Sequence, residues 1–330
     1  MQHIEDAGIH SGDSACVLPP YLIEETAVVR MREHTRQFAL SLGVVGLINV
    51  QYAVKDGVVY VLEVNPRGSR TVPFVSKATG VPLAKLAAAV MVGKSLDELA
   101  VPDEVPMPYV AVKEAVFPFA KLPNVDTLLG PEMRSTGEVM GIADSFGMAF
   151  AKAQIGADGA LPLEGGILVK VNDHDKPTVA PIVRRFHEMG FRILATDGTA
   201  RYLNARGIPA ERVLKVSEGR PHPADLIVSG EVQLLINTPL GKLTQRDDYF
   251  IRRTALQHRV PYTTTMSAAS AACDAVLALR SRRGSVRCLQ EWYQQATGDG
   301  RRWMGMEGDA KRDRVIPVHR PPSSSIPGSP

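Results

Sequence analysis

Cysteine is scarce in this chain. Its three copies, Cys16, Cys273 and Cys288, stand far apart with no CxxC pair. That excludes a zinc ribbon or a disulfide framework and fits a reducing cytoplasm. Excess charge is lacking too: the formal net charge is +3. Residues 298–330 hold six Lys/Arg against four Asp/Glu, so +2 of it sits in the tail. A nucleic-acid binder needs a basic face to neutralise phosphates, and none is implied. No apolar run approaches the roughly 18 residues of a membrane helix, and no secretory leader is expected. The chain therefore reads as a soluble cytoplasmic protein without a membrane or nucleic-acid partner.

Two further things are missing. MQHIEDAGIHSGDSACVLPP, at the start, has no core element before its polar His-Ser-Gly-Asp loop, and reads as the middle of a domain. From Ala296 onward Gly, Pro, Ser and charge mix without periodicity. That stretch lacks the apolar density to offset ordering entropy and is expected to be disordered.

What is present is a chain long enough for about two domains, with 45% hydrophobic residues to build their cores. Tyr21–Leu42 has helical spacing and stops at Gly43. Two apolar, β-branched runs, Val45–Val54 and Val58–Asn65, flank Lys55-Asp56-Gly57 and predict a hairpin. LAKLAAAVMV predicts a helix ending at Gly93, and residues 99–158 read as looser, with one helix near Ser145–Gln154. From Gly165 the pattern turns regular. Strands are predicted at 166–172, 191–196, 211–216, 232–237 and 260–264. Helices are predicted at 177–189, 198–206, 222–229, 246–258 and 266–281. Such alternation predicts an α/β fold with a doubly wound, parallel sheet, which binds ligands beyond the carboxyl ends of its strands.

The hairpin carries chemistry. On its second strand, period two puts Val59, Val61, Glu63 and Asn65 on one face. A two-residue turn would set Gln51 opposite Leu62, on the other face; a three-residue turn would set it opposite Val61, beside Glu63. The three-residue turn is expected. Gln51, Glu63 and Asn65 would then offer the hard oxygen donors that magnesium prefers. Arg67 and Arg70 follow at once, placed to neutralise phosphate oxygens.

The stretch NVQYAVKDGVVYVLEVNPRGSRTVPFVSKATGVPLAKLA resembles the second ATP-grasp unit of the carbamoyl-phosphate synthase large-subunit family. The likeness extends through GIHSGDSAC, VKEAVFPF and LLGPEMRSTGEVMG to about Tyr293. The resemblance implies a partial ATP-grasp lobe (1–115), a connection (116–158), a methylglyoxal-synthase-like regulatory domain (159–295) and the tail (296–330). It implies ATP with Mg²⁺ or Mn²⁺, and K⁺ as a further candidate ion, for phosphorylation of carbamate to carbamoyl phosphate in arginine and pyrimidine synthesis. Gln51, Glu63 and Asn65 would bind the metal. Gly8, Ile9, His10 and Ser11, with Gln51 and Glu63, would bind the nucleotide. Arg67 and Arg70 would be catalytic. The implied partners are the missing amino-terminal portion of the large subunit, which carries the opposing lobe, and a glutaminase small subunit. The chain alone is expected to be inactive.

In the terminal domain Lys176, Thr196, Thr199, Lys215 and Asn237 fall on predicted strand ends, where hydroxyls and lysines at a helix start suit a phosphate. Taken singly they read as a helix cap and solvated lysines. Together they read as an effector site, and the resemblance implies an inhibitory nucleotide monophosphate such as UMP. Pro239 and Lys170 depart from the family pattern. One alternative is a silent fragment that only binds an effector or a partner. A remoter one is a methylglyoxal-synthase-type lyase, whose Gly-Gly-Asp base is absent from Ser217–Asp225. The histidines read as surface or packing residues. Trp292 and Tyr293 are expected to close the last domain's core, and Arg280, Arg282 and Arg283 to be solvated.

Overall fold

In the computed structural model, which describes residues 1–122, 125–238, 245–281 and 284–297, the first residues already belong to a sheet. Gln2–His3 (β1) pairs antiparallel with Cys16–Leu18 (β2), and Ile4, Ala15 and Val17 are buried. The polar loop is thus preceded by a core strand, contrary to expectation. Glu25–Ser41 (α1) follows, then the hairpin Asn49–Lys55 (β3) and Val58–Asn65 (β4), which forms a two-stranded sheet of its own. After Val72–Thr79 (α2) and Leu83–Met91 (α3) come Val110–Val116 (β5) and Gly137–Ala143 (β6). These last two complete an antiparallel sheet in the order β1-β2-β5-β6. Residues read from sequence as loose therefore hold its two longest strands.

Helix Phe146–Gly156 (α4) packs its alanines against Val112, Ala143 and Val17. It then meets the second half of the chain, a five-stranded sheet in the order β11-β10-β7-β8-β9. Its elements are Gly166–Lys170 (β7), Lys176–Glu188 (α5), Arg192–Thr196 (β8), Asp197–Asn204 (α6), Glu211–Val213 (β9), Pro223–Val228 (α7), Leu234–Asn237 (β10), Gln245–Gln257 (α8), Tyr262–Thr263 (β11) and Met266–Ser281 (α9). Every pairing is parallel, as the strand–helix alternation predicts. One face is covered by α5, α6 and α9 around Val183, Phe186, Leu203 and Cys273; the other by α7 and α8 around Leu226, Ile227 and Ile251.

The two halves share a core through α4 and α9, where Ala149, Ala153, Ala271 and Ala275 lie in one cluster. Gly147 makes this approach feasible, since a Cβ there would stand 2.4 Å from the Asp274 carbonyl oxygen.

Leu289–Thr297 (α10) returns to the antiparallel lobe. Trp292, 1% exposed, packs with Phe74, Ala78, Tyr109 and Ile142, and the Tyr293 hydroxyl donates to the Lys77 carbonyl at 2.6 Å. These aromatics therefore close the first lobe's core, not the last domain's. Arg280 is not simply solvated either: it donates to the carbonyls of Leu163 and Met189 and stacks on Phe191. Arg282, Arg283, Pro239 and the tail from 298 lie outside the described residues. Among the described residues no single helix is long and apolar enough to cross a membrane.

Candidate functional site

The hairpin turn has two residues, not three: Lys55 pairs with Val58, and Asp56 and Gly57 adopt φ of 51° and 73°. Both central residues in the left-handed region define the type I′ turn that matches strand twist. Glycine takes this conformation without strain, and aspartate tolerates it. Such a turn alone would send Gln51 to Leu62. A bulge corrects it. The register shifts between Gln51 and Tyr52, so Tyr52 faces Val61 while Gln51 faces Glu63 and Asn49 faces Asn65. Leu62 is the extra residue. Gln51 and Glu63 thus share a face, with Asn49 and Asn65 beside them. The bulge also moves Glu63 and Asn65 off the face of Val59 and Val61, which strict alternation had assigned them.

The arginines at the strand end differ. Among the described residues the Arg67 side chain donates only to the neighbouring Gly68 carbonyl, and it is exposed. Arg70 is already bound: Nη1 donates to Ser135 Oγ at 2.8 Å and Nη2 to the Ser135 carbonyl at 2.9 Å. Ser135 Oγ in turn donates to the Gly12 carbonyl at 3.1 Å, which ties Arg70 to the loop that contains Gly8, Ile9, His10 and Ser11. Asp13, 1% exposed, organises that junction by accepting from the amides of Arg134 and Ser135 at 2.7 and 2.9 Å. The His10 amide donates to Gly130, and its ring Nδ1 accepts from the Gly12 amide, so the imidazole is engaged with backbone. Buried Lys113 holds the Ser11 carbonyl at 3.0 Å and pairs with Glu138 at 3.4 Å.

An open cleft of about 1370 Å³ runs beside α1 and the hairpin, lined by Ser11, Asn49 and Gln51 among others; Glu63, Asn65, Arg67 and Arg70 stand outside its lining. Among the described residues no three His, Cys, Asp or Glu side chains cluster as a metal cage. The hairpin face offers one carboxylate and three amide groups instead. That set suits a hard cation whose remaining ligands are phosphates and water.

A second cavity, of about 610 Å³, lies between the lobes, with Glu5, Asp13, Glu114 and Tyr262 in its wall. Burial, reinforced by Glu5, pushes the Glu114 carboxyl up to about 8. Burial raises Glu5 to about 7, against a hydrogen bond from Thr265.

At the carboxyl edge of the parallel sheet the five residues singled out from sequence occupy the ends of β7 to β10 in space. Lys176 pairs with Asp173 at 2.5 Å, and its Nζ lies 3.2 Å from where a Cβ on Gly198 would stand, over the start of α6. Thr196 and Thr199 are buried beside it. Lys215 is half exposed and faces Glu218 at 3.7 Å. Asn237 is different: wholly buried, it spends its amide within the protein. Its Nδ2 donates to Asp248 at 3.0 Å and its Oδ1 accepts from Arg252 at 3.1 Å. Lys170 also pairs with Asp248, both side chains buried. His222 and Asp225 cap α7 reciprocally.

Sequence reading missed Asp13, Ser135, Lys113, Arg252 and Asp126, each of which has a partner more than a hundred residues away. The one local signal was a lysine inside the apolar strand Ala-Val-Lys-Glu-Ala-Val.

Comparison with known proteins follows this division. Residues 2–99 match the carbamoyl-phosphate synthase L chain ATP binding domain, and residues 178–264 the MGS-like domain. The carbamoyl phosphate synthase large chain of Gemmatimonas aurantiaca is 61% identical over 294 residues, 89% of this chain and 27% of that protein. That of Archaeoglobus fulgidus is 54% identical, covering 90% of this chain and 28% of the relative. That of Pseudomonas putida is 55% identical, covering 84% and 26%. The chain thus spans about a quarter of the length of these relatives. Among solved structures, methylglyoxal synthase from Elizabethkingia anophelis aligns with a TM-score of 0.29 at 19% identity, over 33% of this chain and 76% of that one.

Proposed function

Because the chain belongs to the carbamoyl-phosphate synthase large-chain family, we propose that it supplies one wall of an ATP-dependent site that phosphorylates carbamate to carbamoyl phosphate, with a regulatory domain attached. The observation that carries this reading is the bulged register, which sets Gln51 opposite Glu63 and Asn49 opposite Asn65 just before Arg67 and Arg70. Gln51, Glu63 and Asn65 would hold magnesium or manganese. There, a bound ion would supply positive charge against the nucleotide phosphates. Glu63 supplies the carboxylate and the two amides orient around it. Arg67, its guanidinium free of other side chains among the described residues, is placed to meet phosphate oxygens. Arg70 orients the loop before Asp13 as well as presenting charge. No residue here acts as a nucleophile, so catalysis is positioning and charge neutralisation.

The remaining walls and the supply of ammonia belong, in this reading, to the rest of the large chain and to a glutaminase small subunit. The carboxyl edge of the parallel sheet would bind a nucleotide monophosphate, with Lys176, Thr196, Thr199 and Lys215 toward the phosphate. Asn237, its amide engaged by Asp248 and Arg252, would support this site from behind rather than touch the ligand. A lyase reading fares worse, because the segment Ser217–Asp225 lacks the Gly-Gly-Asp base and its Asp225 is spent on capping α7.

The test is ATP formation from carbamoyl phosphate and Mg·ADP, with the chain joined to the rest of the large chain. Glu63→Ala should lower turnover by about 10²-fold or more while leaving the melting of the parallel-sheet domain unchanged. Unaltered turnover would remove Glu63 from the mechanism.

A further inference from the structure

We propose that Arg252 and Asp126 form the link through which occupancy of the carboxyl edge reaches Arg70; the inference rests on the regulatory reading of that edge. An unbroken series of contacts joins the two. Lys170 and Asn237, at the ends of β7 and β10, both hold Asp248. Arg252 donates Nη1 to Asn237 Oδ1 at 3.1 Å and Nη2 to both Asp126 oxygens at 3.0 and 3.1 Å. Arg134 donates Nη1 to the Asp126 carbonyl, and its amide donates to Asp13, which also accepts from the Ser135 amide. Ser135 receives Arg70.

Three features make this a movable link. Residues 125–135 contain no helix or strand and are anchored at one end by Asp126 on Arg252, at the other by Arg134 and Ser135 on Asp13. Arg252 is 1% exposed. A buried guanidinium must keep its partners or find new ones, so any shift of Asn237 is passed to Asp126. Finally, among the described residues Arg252 Nε and Asp248 Oδ2 are buried without partners; a network short of full satisfaction has other pairings open to it. A phosphate drawn to Lys176 and Thr199 would attract the Lys170 ammonium, at the end of the strand paired with β8, away from Asp248; Asp248 and Asn237 would then re-pair, and so bias Arg252. The neighbouring Arg253 holds the carbonyls of Phe119 and Leu122 independently, which keeps the two halves docked when Arg252 changes.

The experiment is hydrogen exchange by mass spectrometry on the chain with and without UMP, following residues 172–200 and 126–136. In the unaltered chain UMP should change exchange in both segments, by about threefold or more. In Arg252→Met and Asp126→Asn the change at 172–200 should persist and that at 126–136 should vanish. Arg253→Met, which loosens the same interface, should keep both; loss of the distant response there would mean general loosening and overturn the link. A response at 126–136 that survives in both link variants also overturns it. Absence of any response in the unaltered chain refutes the regulatory reading itself, and the link with it. Should Arg252→Met fail to fold, Asp126→Asn decides alone, since that carboxylate is 27% exposed.

Discussion

Two arginines three residues apart have separate duties here. Among the described residues the Arg67 guanidinium bonds only a neighbouring carbonyl, whereas Arg70 makes three hydrogen bonds to Ser135 and so fastens the hairpin end to the Gly12 loop. Replacing Arg67 by alanine should therefore depress turnover with carbamoyl phosphate and leave stability within about 0.5 kcal/mol, as surface changes usually do. Arg70→Ala should lower turnover and also cost about 1–3 kcal/mol, because charged hydrogen bonds are lost and the Ser135 groups are left short of a donor. Parallel kinetics and urea melts on the two variants separate these outcomes. A similar stability loss in both would show that the Ser135 contacts carry no weight.

At the scale of elements, α10 is a strap across the antiparallel lobe. Trp292 fills the core beside Phe74, Ala78 and Tyr109, and Tyr293 lies against Gly80 and bonds Lys77. Truncating such a side chain removes its transfer free energy and leaves a cavity, so Trp292→Ala should cost about 3–5 kcal/mol. Because α2 follows Arg70 directly, protease cleavage should then appear first within residues 66–82, read from a digestion time course. This element also shows where sequence reading stops. The parallel sheet was legible because its central strands β7 and β10 are buried runs, apolar but for their last residues, and proline or glycine marks the helix ends between strands, as at Pro177, Gly190 and Gly207. The strands β5 and β6 were not, since Lys113 and Glu114 interrupt the apolar pattern and their partners lie across the lobe. The candidate metal face was half legible. Residue types and order pointed to it, but its geometry depends on the bulge at Leu62, which no turn rule foretells.

The whole molecule is joined across an acidic seam, and that seam makes its stability depend on pH. Glu114 titrates near 8 and Glu5 near 7 in the folded chain, against about 4.3 for a free glutamate. For Glu114 burial is the main cause and Glu5 the second, with Lys113 and hydrogen bonds from Ala115 and Gln154 opposing. For Glu5 burial leads again, the Thr265 hydrogen bond opposes it, and Asp6 adds to the rise. A carboxyl raised on folding keeps its proton in the native state after the unfolded chain has lost it. Between about pH 4.5 and 8 the native state thus binds more protons, and stability must fall as pH rises through that window. Above it the loss is complete and the dependence from these groups flattens. The melting midpoint should accordingly decrease from pH 5 to pH 9, with Glu114 contributing on the order of 2 kcal/mol or more. Glu114→Gln removes the titration but retains the shape, so it should flatten the profile and leave the variant more stable than the unaltered chain at pH 9. Melting curves at pH 5, 7 and 9 decide the matter; a variant that follows the unaltered chain at all three would place the pH sensitivity elsewhere.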